Sequence, residues 1–219
     1  MERLGRGVYA IAEAAHLAMI SPTTARRWFL GRPDSPAGPV LRPDYDQVGE
    51  SVAVSFLDLV DLLVVGRFRE QRVSLQTVRK VYHKLKQTLG QVHPFGHRKL
   101  LTDGRAVFLE TLDNIGDRHL EEILTGQRAF PEVLKRYLRE VEYSPDTGIA
   151  QRWRISQGIV LDPTRNFGKP TVDAFGICTA GLAAAYSANA ENAELVADLY
   201  GVTPGAVMDA VRFEHKTAA

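Results

Sequence analysis

Residues 9–31, YAIAEAAHLAMISPTTARRWFLG, contain two short helical patterns separated by a turn. The first helix is predicted over about residues 10–17, where apolar positions recur at helical spacing. These positions are Ile11, Ala14, Ala15 and Leu17. Ser21 is a favourable N-cap for the second helix, and Pro22 suits the first helical position, where a missing N–H is tolerated. Because Gly31 can end that helix, the stretch predicts a helix-turn-helix.

The second helix has the composition of a DNA-recognition helix. One face carries Ala25, Trp28 and Phe29, which can pack on the first helix. The polar residues of its first turns and cap are Ser21, Thr23, Thr24, Arg26 and Arg27. In helix-turn-helix proteins these turns enter the major groove, where arginine can bond guanine bidentately and threonine can contact phosphate. We expect these five residues to bind double-stranded DNA; the alternative is a pair of short helices with a solvated Arg-Arg face.

The composition describes an ordinary globular protein. The 219 residues, 45% hydrophobic and 24% charged, are enough for one large or two small domains. The single cysteine, Cys178, excludes an internal disulfide and fits a reducing compartment. No signal peptide is visible, and Asp58 and Asp61 interrupt the apolar run at residues 57–65. We therefore expect a cytoplasmic protein that does not enter a membrane.

The formal net charge of +1 hides a segregated distribution. Residues 1–32 carry five arginines against two glutamates, and residues 67–105 carry ten lysines and arginines against two acids. Acidic residues dominate both 33–66 and 106–150. Two separate basic blocks are consistent with a localised phosphate-binding face, although chance clustering on unrelated faces would give the same count.

The region after the helix-turn-helix predicts a wing and two longer helices. Residues 32–45 are rich in Pro and Gly and form a loop with an extended segment near 40–42. Residues 55–70 form a helix that is apolar almost all round, typical of a core or a dimer interface. Ser74 caps a further helix whose basic face is expected to contact phosphate. The residues assigned to that contact are Arg79, Lys80 and Lys84.

The middle of the chain, residues 91–148, is predicted to connect two domains and to support dimerisation. A β-hairpin is expected from residues 98–101 and 105–110 around Asp103-Gly104, followed by a helix at 131–141. The turn at residues 144–148 suggests a boundary, and a short β segment is expected at 151–156.

The C-terminal region predicts a strand, a tight turn and three helices. The strand is expected at residues 159–161, the turn at 166–170 and the helices at 179–189, 191–200 and 203–215. The last two form a second helix-turn-helix pattern, with Leu195, Val196 and Leu199 expected to pack toward residues 207–213. Its second helix offers few cations, which favours dimerisation or protein binding over DNA.

The chain shows no constellation that favours catalysis. His93 and His97 have a spacing that could hold a metal ion, but no third ligand is close in sequence. No nucleophile motif, Walker A loop or zinc-protease motif is present. We therefore expect no enzyme activity, no metal site and no cofactor.

Two parts of the chain resemble known families. Tyr9-Ala10-Ile11, Glu13-Ala14-Ala15 and Ser21 to Trp28 resemble the first two helices of MerR-like winged-helix domains, and the run from Ser74 resembles the helix after the wing. The acidic stretch from Asp44 to Asp61 departs from that pattern. The C-terminal residues are similar to the small helical domain of VapB-type antitoxins. They are Asp162-Pro163, Phe167 to Pro170, Val196 to Gly201 and Asp209 to Val211.

The order of these segments, over about two thirds of the chain, resembles larger mycobacterial-type VapB antitoxins. The resemblance implies a homodimeric antitoxin that binds a PIN-domain ribonuclease toxin and represses their shared operon. Because arginine can pair with an acidic toxin site, Arg212 and Lys216 are candidate toxin contacts. The alternative is a stand-alone MerR-like transcription regulator with a ligand-binding or dimerisation domain.

The expected fold class is α+β, mainly α with small β elements. It combines an N-terminal winged helix-turn-helix with a C-terminal three-helix domain that contains the second helix-turn-helix. The domains are expected at residues 1–90, 91–148 and 149–219.

Overall fold

The computed structural model describes residues 6–32, 38–47, 51–101, 108 and 138–218. The chain divides into two compact units, Tyr9–Ala150 and Gln151–Ala219, and the second also includes Met1–Val8. Helices and short antiparallel strands occur in both units, so the fold is mixed α and β, as expected. Among the described residues, no helix has the length and apolar character needed to cross a membrane.

The first unit begins with a short strand and a pair of helices. Its elements are β1 (Tyr9–Ala10), α1 (Ile11–Leu17), α2 (Pro22–Leu30), β2 (Ala53–Val54), α3 (Phe56–Glu70), α4 (Leu75–Leu89), 3-10 turns at Pro94–Gly96 and Arg98–Leu101, and β3 (Val141–Tyr143). Strand β1 pairs with β2 in antiparallel register, with Tyr9 opposite Val54. The strand pair ties the start of α1 to the chain that enters α3.

Helices α1 and α2 pack as their apolar spacing predicts. The buried residues of α1 are Ile11, Ala14, Ala15 and Leu17, and those of α2 are Ala25, Trp28 and Phe29. Gly31 follows α2 with a φ of 80°, a conformation that favours glycine. Local sequence rules are therefore sufficient to place both helices and the faces they bury.

Helix α3 is buried along nearly its whole length and supports the turn between α1 and α2. Ser55 and Asp58 form a capping box at its start. Near the end of α3, the guanidinium of Arg67 donates to the carbonyl oxygen of Ala18 at 2.8 Å. Ala18 directly follows α1, so this hydrogen bond gives a partner to a carbonyl group at the C-terminal end of that helix. A Cβ built on Gly66 would lie 2.7 Å from Cδ1 of Ile20, so the turn lies directly on this glycine.

We expect Gly66→Ala to be less favourable than an ordinary Gly→Ala change in a helix, because the added Cβ displaces the end of the half-buried Ile20 side chain and so offsets the gain in helix propensity. Urea unfolding followed by circular dichroism measures the change. Gly181→Ala is the matched control: Gly181 is also helical, and an added Cβ there meets nothing within 4 Å. The control should gain about 0.5–1 kcal/mol from helix propensity. Equal stability changes in the two variants would contradict close packing at Gly66.

Three predictions for the first unit are corrected by the structure. The chain bends at Val40 and Leu41, where a short extended segment of the loop was predicted, because both amides donate to the carbonyl of Trp28, at 2.8 and 3.0 Å. Arg98–Leu101 is a 3-10 turn rather than a hairpin strand, since the amide of Leu100 donates to the carbonyl of His97. Val141 begins β3, so the helix predicted at 131–141 does not reach it. Residues 102–107 and 109–137 lie outside the described residues.

The second unit is a small antiparallel sheet followed by three helices. Its elements are β4 (Ala150–Ser156), β5 (Ile159–Leu161), a 3-10 turn at Asn166–Gly168, β6 (Thr171–Val172), β7 (Ile177–Cys178), α5 (Thr179–Ala188), α6 (Ala193–Tyr200) and α7 (Pro204–Ala218). Strands β4 to β7 lie side by side in the sheet in the same order as in the chain. The first residue of β4, Ala150, is the last residue of the first unit. The predicted β4, β5 and three helices are confirmed; β6 and β7 are too short to give an alternating pattern.

The core of this unit shows which side of α6 is inward. Val196 and Ala197 are buried with Val207, Ala210 and Val211 of α7. Leu195 and Leu199 are instead 43% and 64% exposed, so the prediction that they pack toward α7 is wrong. Helix α6 has apolar residues on more than one side, so its sequence does not show which side is buried. Packing in the folded unit buries the side that carries Val196 and Ala197.

Candidate nucleic-acid interface

Helix α2 presents its polar residues to solvent. Thr23, Arg26 and Arg27 are exposed, and Thr24 is half-buried. Neither arginine makes an ion pair with another described residue. Their opposite face is occupied by Ala25, Trp28 and Phe29 against the core. The guanidinium groups are therefore available for an anionic ligand.

The capping residue Ser21 has a structural role in this surface. Its hydroxyl donates to Oγ1 of Thr24 at 2.8 Å and accepts from the amide of Thr24 at 3.3 Å. Thr24 keeps its own hydroxyl proton for a phosphate oxygen. Ser21 thus fixes the start of α2, and Thr24 is the better placed of the two to donate to a ligand.

The three residues predicted on α4 differ in their availability. Arg79 is half-buried and donates to the carbonyls of Gly38 at 2.9 Å and Pro39 at 3.4 Å. It therefore holds the loop that follows α2 against α4. Lys80 is exposed and Lys84 is half-buried. The basic face of α4 thus combines a loop-anchoring arginine with an exposed lysine.

Sequence reasoning missed a buried ionic cluster in the same unit. Nδ1 of His93 lies 2.8 Å from Oδ2 of Asp61, and its Nε2 lies 3.1 Å from Oδ1 of Asp44. Tyr82 also donates to Oδ2 of Asp61, at 2.7 Å. Asp58 contributes a third carboxylate, with Oδ1 at 3.9 Å from Nδ1 of His93. One imidazole is therefore held among three carboxylates.

The surroundings of the cluster shift the pKa of its members. Burial raises the pKa of Asp58 to about 6, although amides of Asp44 and Ser55 and the charge on His93 oppose that shift. Burial disfavours the charged form of His93, but hydrogen bonds to Asp44 and Asp61 and the nearby charges prevail and raise its pKa to about 10. Burial and the neighbouring Asp61 raise the pKa of Tyr82 above its usual range. His93 is thus an imidazolium at neutral pH.

His97 does not join this cluster. Its Nδ1 accepts from the amide of Lys99, and its Nε2 donates to the carbonyl of Thr147, each at 3.1 Å. The i, i+4 spacing of the two histidines is therefore uninformative. The useful signal was the pair Asp58 and Asp61, two carboxylates inside an otherwise apolar helix, because a buried charge requires a partner.

The predicted toxin-contact residues lie on α7 of the second unit. Arg212 is exposed and pairs with Asp209, one helical turn earlier. Lys216 is exposed near the end of the helix. Leu195, Leu199 and Tyr200 form an exposed apolar set on α6, which we call the α6 patch.

Comparisons with known proteins extend over nearly the whole chain. No protein-family model matches it. A Mycobacterium tuberculosis protein named "Putative antitoxin VapB45" is 26% identical over 223 residues, which cover 93% of this chain and 92% of that protein. The crystal structure of Rv2018 from Mycobacterium tuberculosis superposes with a TM-score of 0.74 at 26% identity and covers 93% of this chain and 96% of that one. The chain is therefore similar, over nearly its whole length, to a protein named as a putative VapB antitoxin.

Proposed function

We propose that this chain neutralises a PIN-domain ribonuclease toxin and represses its own operon by binding operator DNA. The observation that carries the DNA-binding part is the exposed Arg26 and Arg27 on a capped helix whose other face is buried. The similarity to the protein named as a VapB antitoxin supports the toxin-binding part.

DNA binding is assigned to residues 1–90, in a MerR-like winged arrangement. Helix α2 would enter the major groove by its N-terminal turns, since Thr23, Thr24 and Arg26 lie there. Lys80 and Lys84 would contact phosphate beside it. A homodimer, with residues 91–148 at its interface, would present two such helices to a palindromic operator.

Toxin binding is assigned to residues 149–219. Exposed leucine and tyrosine side chains in one cluster are typical of a protein interface, and the α6 patch provides them. Glu194 and Asp198 are exposed on the same helix, which carries no lysine or arginine. A second copy of α6 would repel these charges, so a basic surface of the toxin fits the patch better. Arg212 and Lys216 would then reach acidic groups of the toxin.

Co-expression with the neighbouring gene tests this function. We expect that gene to encode a nuclease that arrests growth when expressed alone, and this chain to restore growth and copurify with it. The complex or the free chain should also bind the promoter of the pair in a gel-shift experiment. Promoter binding without a toxic neighbour would instead indicate a stand-alone transcription regulator.

We expect Leu199→Lys to weaken toxin binding at least tenfold, because it removes an apolar side chain from the α6 patch and places a positive charge against the proposed basic surface of the toxin. Leu199 is 64% exposed, so the folded unit should tolerate the change. Isothermal titration with purified toxin measures the affinity. Ala184→Lys, an equally charged change on the exposed side of α5, is the control and should bind normally. Normal binding by both variants would move the toxin contact away from α6.

A further inference from the structure

The buried cluster around His93 is rich in carboxylates. Asp44, Asp58 and Asp61 surround one imidazole, and Asp58 and Asp61 share it as their cationic partner. Asp58 and Asp61 are each only 1% exposed and pair with no lysine or arginine among the described residues. Buried carboxylates are costly unless paired or bound to a metal ion, so this part of the fold can accommodate a further cation.

Two buried carboxylate oxygens of the cluster also lack a hydrogen-bond donor. Oδ1 of Asp58 and Oδ1 of Asp61 have no hydrogen-bond partner among the residues that the structure describes. The other oxygen of Asp58 accepts from the amides of Ser55 at 2.8 Å and Asp44 at 2.9 Å. These two bonds fix the carboxylate, while Oδ1 remains 3.9 Å from the imidazole. An orphaned carboxylate oxygen is thus held facing the cluster.

The spacing of the polar atoms suits metal coordination. Asp44, Asp58 and His93 each offer one ligand atom, and all three atoms lie within 4.8 Å of one another. Two ligands of one tetrahedral zinc ion are about 3.3 Å apart, because zinc-to-ligand distances are about 2.0 Å. Nε2 of His93 and Oδ1 of Asp44 are 3.1 Å apart. Small movements would bring the ligand atoms to coordination distance.

Asp61 has the position of an orienting residue. Metal-bound histidines commonly donate their second ring N–H to a carboxylate, which fixes the tautomer and the ring. Nδ1 of His93 makes this contact with Asp61, whose same oxygen also accepts from Tyr82. Nε2 would then face the ion.

We propose that Asp44, Asp58 and His93 bind a divalent transition-metal ion of the zinc class, oriented by Asp61. A mixed nitrogen and oxygen ligand set favours zinc, or manganese or cobalt, over the oxygen-only preference of calcium. Binding releases the Nε2 proton of His93 to solvent. The proposed site departs from the expectation from sequence, which was that the chain has no metal site. Its ligands are 14, 35 and 49 residues apart in sequence, so no local spacing pattern indicates them.

The ion would act on the scaffold of the helix-turn-helix. Asp44 follows the loop after α2, Asp58 lies in the first turn of α3 and His93 follows α4. One ion would therefore join three separate segments of the first unit. Asp44, whose side chain is 12% exposed, gives the ion access from solvent.

Titration of the chelator-treated full chain with zinc chloride tests the proposal. We expect one tightly bound ion per chain by calorimetry and a rise of several degrees in the melting temperature. Cobalt chloride should give the visible absorption bands of a four-coordinate site. Absence of a bound ion together with an unchanged melting temperature would overturn the proposal.

Variants separate this site from adventitious zinc binding. Asp44→Asn and Asp58→Asn keep side-chain shape and should lower zinc affinity at least tenfold and abolish the cobalt bands; either variant that folds is sufficient. Asp61→Asn should lower affinity about ten- to hundredfold as an orienting residue. His83→Gln, on the exposed side of α4, is the control and should bind like the wild type. Wild-type affinity in Asp44→Asn and Asp58→Asn, or loss in His83→Gln, would refute the assignment.

Discussion

Replacing Arg26 and Arg27 together by alanine is expected to lower affinity for the operator roughly a thousand-fold. Each arginine is exposed and makes no ion pair with a described residue, so its charge is available to DNA. A good arginine contact with a base edge contributes about 1–3 kcal/mol. Two contacts of about 2 kcal/mol each correspond to about three orders of magnitude. Fluorescence anisotropy with labelled operator DNA measures the change.

The control carries the same change in charge elsewhere on the surface. Arg154→Ala with Lys216→Ala removes two exposed cations that lie outside α2, outside both basic blocks and outside the proposed dimer interface. It should reduce affinity only a few-fold, through long-range electrostatics. If Arg26 and Arg27 contact bases, the loss should be larger on operator than on unrelated DNA. Similar losses for the two double variants would exclude α2 as the recognition helix.

His93→Gln is expected to destabilise the first unit by about 3–5 kcal/mol, because it leaves buried carboxylates without their cation. The imidazole bridges Asp44 and Asp61, and both contacts are within 3.1 Å. Glutamine can replace at most part of this bonding and carries no charge. Urea unfolding in the presence of a chelator gives the difference for the metal-free protein.

His83→Gln again serves as the comparison, since His83 is exposed and surface substitutions usually change stability by about 0.5 kcal/mol or less. A loss below about 1 kcal/mol for His93→Gln would mean that the carboxylates find other partners. This measurement concerns the ion pairs alone and stands independently of the proposed metal ion.

The helix pair α1 and α2 was predictable because its determinants are local. The cap at Ser21, the proline at Pro22 and the apolar spacing of α1 and α2 act within a few residues of one another. The structure reproduces the predicted buried faces. The strand predicted at Arg98–Leu101 is not formed. These residues instead form a compact 3-10 turn, which is stabilised by a hydrogen bond from the amide of Leu100 to the carbonyl of His97.

The ionic cluster could be only partly anticipated. Two carboxylates in the apolar helix α3 indicate that a buried partner exists. The spacing pattern cannot say which residue it is, because His93 lies 32 residues from Asp61 and 49 from Asp44. The i, i+4 pair His93 and His97 even suggested a different arrangement.

Helix α6 shows a related limit. Asn192 and Gly201 cap the helix and set its length. Because apolar residues lie on several of its sides, the sequence does not determine which side faces the core. Packing against α7 buries Val196 and exposes Leu199.

The sequence by itself determined where α1 and α2 begin and end and which of their residues face solvent, because caps and periodicity act over a few residues. Only the tertiary structure decided that Asp44, Asp58, Asp61 and His93 meet, and which side of α6 remains exposed. Those outcomes depend on the energies of contacts between segments that are far apart in sequence. A local sequence pattern carries no information about these energies.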